Sequence, residues 1–564
     1  MEPEPPLQSR PLPGPSTFDA PQRRLRRRRL GDFPGPEEDH APIGILSPRA
    51  VLIALVALGM VARLVRYAQG IPFWSDECFL AVNFIDRGYL DLMKPLENGQ
   101  VCPLLFLWIE RTAVLALGYS EWSLRLFPLA CGLASVVLFE RVARRILTGP
   151  ALLAAVGIFA VSVHPIRHAA EVKPYASDLL AALALLAPAT AWLIDRDGPR
   201  RLWLLLFVLP FALAISNPAL FVAAGILLGL AVPVWKTGRA AERLALASCA
   251  AVSIGSFLVL HVGFGGEQSA AAIEGLKRYW AAGFPPLDRP SALPGWLLSA
   301  LTGSVFAYPG GGARGASFAT SLACLVGAIA MIRRGRPALV VALLAPIGLN
   351  LIAAALRRYP FGPEARLAQY AAPAICLLAG AGLGAMFEAI RRPRLRTTLV
   401  RVGVVALILC VLLPQAASWQ RPYRMVHDRE ARDFARAFWP EVGRDAVVAC
   451  TYLDFGLGRS GLWQGKRAWY LCNQAICSPQ RREGRPRFED VSGARPLRCV
   501  AFDEDPENPE MIAWLARMQS IYGLRAVRSI PVAGTFGDDP RTIVETWRVY
   551  EFAPLAQTTQ RIAE

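Results

Sequence analysis

Apolar runs of about twenty residues, separated by short arginine-rich loops, dominate this chain and leave few folds open to it. A bilayer is crossed by roughly 20 consecutive apolar residues in a helix, because only a helix satisfies its own backbone polar groups in lipid. Eleven such runs occur, at 48–67, 122–142, 150–165, 175–194, 201–217, 218–235, 243–264, 316–332, 338–356, 368–390 and 397–418. A soluble enzyme of 564 residues, 54% hydrophobic, would not carry so many. The chain reads as an all-α polytopic membrane protein.

Charge sets its expected orientation. If a twelfth run, 101–118, lies along the membrane surface, the inner loops carry Arg141/Arg144/Arg145, Arg196/Arg200/Arg201, Lys236/Arg239/Arg243, Arg333/Arg334/Arg336 and Arg391/Arg392/Arg394/Arg396. If that run crosses, all five clusters fall outside, against the positive-inside rule. Glu110 and Arg111 in its middle also suit an interfacial helix. The expectation is about eleven transmembrane helices, or twelve to thirteen if 101–118 and 292–308 also cross. The outer segments are then 68–121, 166–174, 265–315, 357–367 and the tail 419–564. The loop 265–315 suits an interfacial helix or a lid.

Residues 1–46 are rich in proline and charge, with Arg23, Arg24 and the run 26–29, and read as a disordered cytoplasmic tail that touches anionic lipid. Residues 47–418 form the transmembrane domain, and 419–564 a small extracytoplasmic α/β domain with strand-like stretches at 446–452 and 547–552. The net charge of +17 lies mostly in the short loops, and no basic helix or aromatic platform accompanies it, so nucleic acid is excluded as a partner. Four of the eleven cysteines (Cys450, Cys472, Cys477, Cys499) fall in the tail, where two disulfides could form, with no pairing readable from sequence.

The unusual polar residues converge on the expected outer side. Asp76-Glu77 follows the first span. The second group runs from His164 through Arg167, His168, Glu171 and Lys173 to Tyr175, and the third from Arg357 and Arg358 to Glu364 and Arg366. A carboxylate can take a proton from an acceptor hydroxyl, and cations can stabilise a phosphate as it leaves. Each group also has a plainer reading. Asp76 and Glu77 suit a helix N-terminus with Ser75 as its cap, Tyr175 suits an interfacial anchor, and the Arg357-Arg358 pair suits lipid headgroups. His164, His168 and Glu171 are spaced to share a helix face and could hold a divalent metal, although lysine and arginine can meet a phosphate, so no cofactor is required. No Walker loop or GxGxxG precedes a helix, so a soluble nucleotide is not the obvious donor.

The order of these elements resembles a known group. Trp74-Ser75-Asp76-Glu77 after the first span is followed by Pro103-Leu104-Leu105, Leu117-Gly118-Tyr119 and Arg125-Leu126-Phe127-Pro128. His164-Pro165, Glu171-Val172-Lys173-Pro174-Tyr175 and Arg358-Tyr359-Pro360 complete the run. Over residues 47–418 this is similar to the GT-C polyprenyl-phosphate-sugar glycosyltransferases, in the family-39-like group with the protein O-mannosyltransferases and the lipid A aminoarabinose transferase. The resemblance implies a bacterial inner (plasma) membrane enzyme that moves a sugar from a polyprenyl phosphate to a hydroxyl of a protein, lipid or glycan outside the membrane, with inversion. It implies Asp76 as general base, with Glu77 orienting it or the acceptor. Lys173, Arg358 and Arg366 would contact the donor phosphate, and Glu171 and Tyr175 would position the sugar or Lys173. Two features depart from the pattern, the second of which argues against a eukaryotic-type mannosyl specificity. Cys102-Pro103 stands where the family often has two prolines, and the His-x-Arg motif of the eukaryotic O-mannosyltransferases is not evident within residues 47–418.

Two other classes remain open on the residues alone. A transporter or flippase of a lipid-linked substrate would tend to show inverted repeats and broken midplane helices, whereas here the charges cluster on one face. A non-catalytic glycan-binding protein would have no need of Asp76.

Overall fold

The computed structural model describes residues 47–392 except 86, 197 and 311–315, scattered residues of 394–416, and in the tail 428–442, 446–450, 493–502, 506–507, 509–535 and 542–555. The expected N-terminal tail, most of the eleventh run, Cys472 and Cys477 lie outside them. Each of the other ten apolar runs forms a helix. These are α1 (Pro48–Ala68), α4 (Glu121–Ile146), α5 (Gly149–Val161), α7 (Tyr175–Asp195), α8 (Arg200–Ile215), α9 (Ala219–Thr237), α10 (Ala240–Phe257), α13 (Ala316–Arg333), α14 (Pro337–Ala355) and α15 (Ala372–Ala389). Between them lie α2 (Ser75–Ala81), α3 (Leu104–Leu117), α6 (Val163–His168), α11 (Gly266–Tyr279) and α12 (Leu293–Ala300). Among the described residues seven helices are long and apolar enough to cross a membrane, counting the turns that extend α10 to Phe264 and begin α15 at Ala365. Large apolar side chains such as Phe207, Leu228, Trp235, Ile254, Leu322 and Ile352 are exposed on these helices. A multi-pass protein turns such residues to lipid, and a soluble one could not carry so many.

Local chemistry sets several helix boundaries. Ser47 caps α1, its hydroxyl accepting from the Ala50 N–H at 3.2 Å, with Pro48 at the first helical position. Ser120 caps α4, accepting from the Ser123 N–H at 3.0 Å. Helices then pack through small residues, as lipid-embedded helices do. Where α13 crosses α15, a Cβ at Gly327 would collide with the Leu378 carbonyl and one at Gly382 with the Ala323 carbonyl, so the two backbones touch directly.

The bundle has two chemically distinct ends. At one, Arg145 pairs with Asp195 at 3.4 Å and Arg336 donates to the Ile146 carbonyl at 3.0 Å, joining three of the basic loops. At the other end lie the C-terminus of α1, the N-termini of α4 and α7, and α2, α3 and α11.

Helix α3 is about 21 Å long at 1.5 Å per residue, short of a roughly 30 Å hydrocarbon core. It buries Phe106, Leu107, Glu110 and Val114 and exposes Leu115 and Leu117. Here the structure corrects one sequence argument. Glu110, which in the sequence suits the polar side of an interfacial helix, is fully buried, and among the described residues neither of its oxygens has a hydrogen-bond partner. Arg111 does not reach water freely either, donating to the Phe84 carbonyl at 2.9 Å. Burial pushes the Glu110 carboxyl well above its usual range, because nothing offsets the lost hydration. A carboxyl raised in this way contributes its stability fully below its unfolded pKa and loses it as pH rises through the folded value. Glu110→Gln is therefore expected to gain in melting temperature over the wild type as pH rises from about 5 to about 9. A gap that does not change with pH would contradict a neutral buried acid.

The tail forms a four-stranded mixed sheet in the order β1-β2-β4-β3, from β1 (Val447–Cys450), β2 (Leu497–Phe502), β3 (Tyr522–Thr535) and β4 (Thr542–Pro554). β1 and β2 are parallel and the other pairs antiparallel. Side chains alternate as strand geometry requires. Leu497, Cys499, Tyr550 and Phe552 pack under helix Pro509–Ile521, while Val500, Trp547 and Val549 face the bundle. There they share one core with Phe438 and Trp439 of helix Asp428–Glu441 and with Phe73, Leu80, Phe106 and Leu124. Arg432 donates to the Gly70 carbonyl at 2.9 Å, so the tail holds the segment leading into α2. Cys499 is fully buried.

Candidate active site

Helix α2 begins with Trp74 as its cap and Ser75 as its first helical residue, so Ser75 does not cap it as the sequence suggested. Glu77 turns back to accept from the Trp74 N–H at 3.3 Å, the carboxylate half of a capping arrangement. Its other contacts are stronger. Arg125, from the first turns of α4, donates Nε to Glu77 Oε1 at 2.9 Å and Nη2 to Oε2 at 2.6 Å. The Val172 N–H also donates to Oε1, at 2.8 Å. Arg125 further donates to the Ile71 carbonyl and, at 3.2 Å, to that of Pro72, and its guanidinium covers the Phe73 ring. Glu77 is thus a buried junction that locks α2, α4 and the turn before α7 together.

That junction fixes the residue on either side of it. Asp76, next to Glu77, meets Lys173, next to Val172: Lys173 Nζ lies 3.0 Å from Asp76 Oδ1. Lys173 is held by the turn between α6 and α7, its N–H donating to the Glu171 carbonyl at 2.8 Å, and its Nζ also donates to Gln100 Oε1 at 2.6 Å. The other oxygen, Asp76 Oδ2, accepts from Arg366 Nη1 at 2.8 Å. Arg366 enters on the 3-10 segment Ala365–Ala371 that leads into α15. The preceding turn needs Gly362, which has φ +63° and whose Cβ would press on Ala300. Glu364 pairs with Arg366 at 2.7 Å, and the guanidinium lies over both the Trp74 and Trp280 rings.

The two cations are nearly buried, at 7% and 3% side-chain exposure, whereas Asp76 keeps 23%. The carboxylate is therefore the reachable member of the cluster. Burial pushes the Asp76 carboxyl up, but the charges of Lys173 and Arg366 outweigh it and hold the group below its ordinary range. Asp76 is ionised throughout the neutral range.

The remaining sequence candidates divide into two groups. Glu171 is buried behind Lys173 and pairs with His168 Nδ1 at 2.7 Å and Arg167 Nε at 3.2 Å. His164 stacks on His168, and Tyr175 meets the His168 ring edge-on at 5.0 Å. Among the described residues no three His, Cys, Asp or Glu side chains are arranged to hold a metal ion. Arg358 stands apart. It is exposed, follows Arg357 at a left-handed φ of 53°, and among the described residues its side chain makes no hydrogen bond or ion pair. Sequence reasoning gave no role to Arg125, Gln100, Glu364 or Trp280. An arginine one turn inside an apolar run was a signal for Arg125, and an acid two residues before Arg366 was one for Glu364. Gln100 and Trp280 carried none.

No family model matches the chain, and no curated protein does. Among solved structures, ArnT from Cupriavidus metallidurans in the apo state aligns with a TM-score of 0.48 at 13% identity, over 88% of this chain and 97% of that one. ArnT bound to undecaprenyl phosphate aligns at 0.45 and 13% identity, over 89% and 98%. The Archaeoglobus fulgidus oligosaccharyltransferase with zinc and sulfate aligns at 0.46 and 13% identity, over 88% and 74%. Likeness at this level leaves the chemistry to be read from the chain's own residues.

Proposed function

We propose that this protein is an integral-membrane glycosyltransferase that moves a sugar from a polyprenyl-phosphate donor to a hydroxyl acceptor on the extracytoplasmic face. One observation carries the reading. A partly open carboxylate, Asp76, sits between two nearly buried cations, Lys173 and Arg366, at the end of the bundle opposite the arginine-rich loops. By the positive-inside rule those loops face the cytoplasm, the N-terminus with them, and the site and tail domain face out. A bacterial inner membrane fits this arrangement.

The acceptor O–H gives its proton to Asp76, its oxygen bonds to the sugar's anomeric carbon from the far side, and the bond from that carbon to the phosphate oxygen breaks. The phosphate leaves with the electron pair, on Lys173 and Arg366. Displacement from the far side inverts the anomeric centre. In the donor-free state Asp76 occupies both cations. A bound phosphate takes them over and frees the carboxylate to accept a proton. Those cations meet the charge of the phosphate, so no metal is required. The acceptor is an extracytoplasmic protein, lipid or glycan hydroxyl.

Charged hydrogen bonds are each worth about 1.5–3 kcal/mol, so Lys173→Met and Arg366→Met should each weaken binding of sugar-free polyprenyl phosphate by about tenfold or more. Titration of the purified protein in nanodiscs measures this. Unchanged affinity in both variants would remove the phosphate from this site.

A further inference from the structure

The segment Tyr279-Trp280 ends α11 and lies at the Asp76 cluster, although nothing in the reaction above uses it. It is held there from three sides. Gln268 Nε2 donates to the Leu92 carbonyl at 2.9 Å, anchoring α11 on the loop before α3. The Phe361 N–H donates to the Gly283 carbonyl at 2.8 Å, and Trp296 Nε1 to that of Ala282 at 2.9 Å. Gly283 also meets Pro360 and Pro363 so closely that a Cβ would not fit. The segment 265–310 is thus fastened between the first loop and the turn that carries Arg366.

The result is an aromatic pair beside the cation that holds Asp76. Trp280 packs over the Arg366 guanidinium at 5.1 Å, and Tyr279 meets Trp280 edge-on at 4.7 Å. Trp280 is half-buried and Tyr279 is 60% exposed. A tryptophan whose only task was to shield Arg366 would not need an exposed aromatic neighbour. The C–H face of a pyranose ring is apolar and rigid, and indole and phenol rings present a matching flat surface with a polar edge.

We propose that Tyr279 and Trp280 form the platform for the donor's sugar ring. This rests on the glycosyltransferase reading. With the phosphate on Arg366 and Lys173, the sugar bonded to it must lie within one ring's width of Arg366. Trp280 is the aromatic surface there that belongs to neither α2 nor the bundle. The platform holds the anomeric carbon between the phosphate and Asp76, and its contact area distinguishes a sugar-bearing lipid from a spent one.

The test compares wild type, Trp280→Ala and Trp280→Phe in nanodiscs, titrated with undecaprenyl phosphate and with its glucosyl and mannosyl forms. Wild type is expected to bind at least one sugar-bearing form about tenfold more tightly than the sugar-free lipid. Trp280→Ala should abolish that gap, costing the sugar-bearing form about tenfold more affinity than the sugar-free lipid, while Trp280→Phe keeps most of the gap. Retained binding of the sugar-free lipid also shows that the variant is folded. Equal loss for all three lipids in Trp280→Ala would reduce Trp280 to a support for Arg366 and overturn the platform. A gap that survives in Trp280→Ala, or no gap in wild type, would overturn it as well. Failure of wild type to bind any of the three lipids would instead overturn the glycosyltransferase reading itself.

Discussion

Asp76→Asn is expected to lower sugar transfer at least a hundredfold without weakening donor binding. General-base groups contribute about 10²–10⁴-fold, and asparagine keeps the shape while losing the basicity. The second half of the expectation comes from the ion pairs. In the donor-free protein the Asp76 carboxylate lies 3.0 Å from Lys173 Nζ and accepts from Arg366 at 2.8 Å, so it competes with a phosphate for the same two cations. Removing its charge should leave affinity for polyprenyl phosphate equal or higher, whereas Lys173→Met and Arg366→Met lower it. A variant that loses transfer and donor affinity together would speak for a structural role. Asp76 also gives a pH signature. Its folded pKa is depressed, so the stability it contributes is present above the unfolded value and is lost as pH falls through the folded one. The wild type should therefore lose its stability advantage over Asp76→Asn only in acid, below the ordinary aspartate range of about 3.9.

Arg125→Met should produce a large loss of stability. The Glu77–Arg125 pair is almost completely buried, at 1% and 5% side-chain exposure. Removing one partner of such a pair leaves a buried uncompensated charge and costs about 3–5 kcal/mol. Transfer should fall with it, since Glu77 also receives the Val172 N–H beside Lys173. Pairing Arg125→Met with Glu77→Gln should recover part of the loss, because the stranded carboxylate is then gone. Strict additivity of the two losses in melting temperature would show that the pair is not coupled.

Much of this arrangement was legible in the sequence, for physical reasons. Ten apolar runs predicted ten helices because the requirement to satisfy backbone polar groups in lipid is so strong. The strand-like stretch at 547–552, rich in aromatic and β-branched residues, predicted a strand of the tail domain, which β4 contains. Asp76, Lys173 and Arg366 could be singled out because charges beside membrane spans are costly. Their meeting could not be read, because it depends on how α2, the turn before α7 and the entry to α15 pack. The different partners of Asp76 and Glu77 could not be read from their adjacency, and helical geometry sends the two side chains apart, to Lys173 and Arg366 and to Arg125. Arg358 looked as strong as Arg366, yet a left-handed Arg357 turns the chain and leaves Arg358 exposed. Glu110 misled for the opposite reason, since an acid beside an arginine reads as surface while helix packing buried it.

The measurement that bears most directly on this account uses purified wild type in sealed proteoliposomes, supplied with radiolabelled polyprenyl-phosphate sugars and a hydroxyl acceptor pool from the cell envelope. Formation of a glycoside with inverted anomeric configuration, absent with Asp76→Asn, is the predicted result. Translocation of the labelled lipid with no glycoside formed, or equal product from wild type and Asp76→Asn, would contradict it.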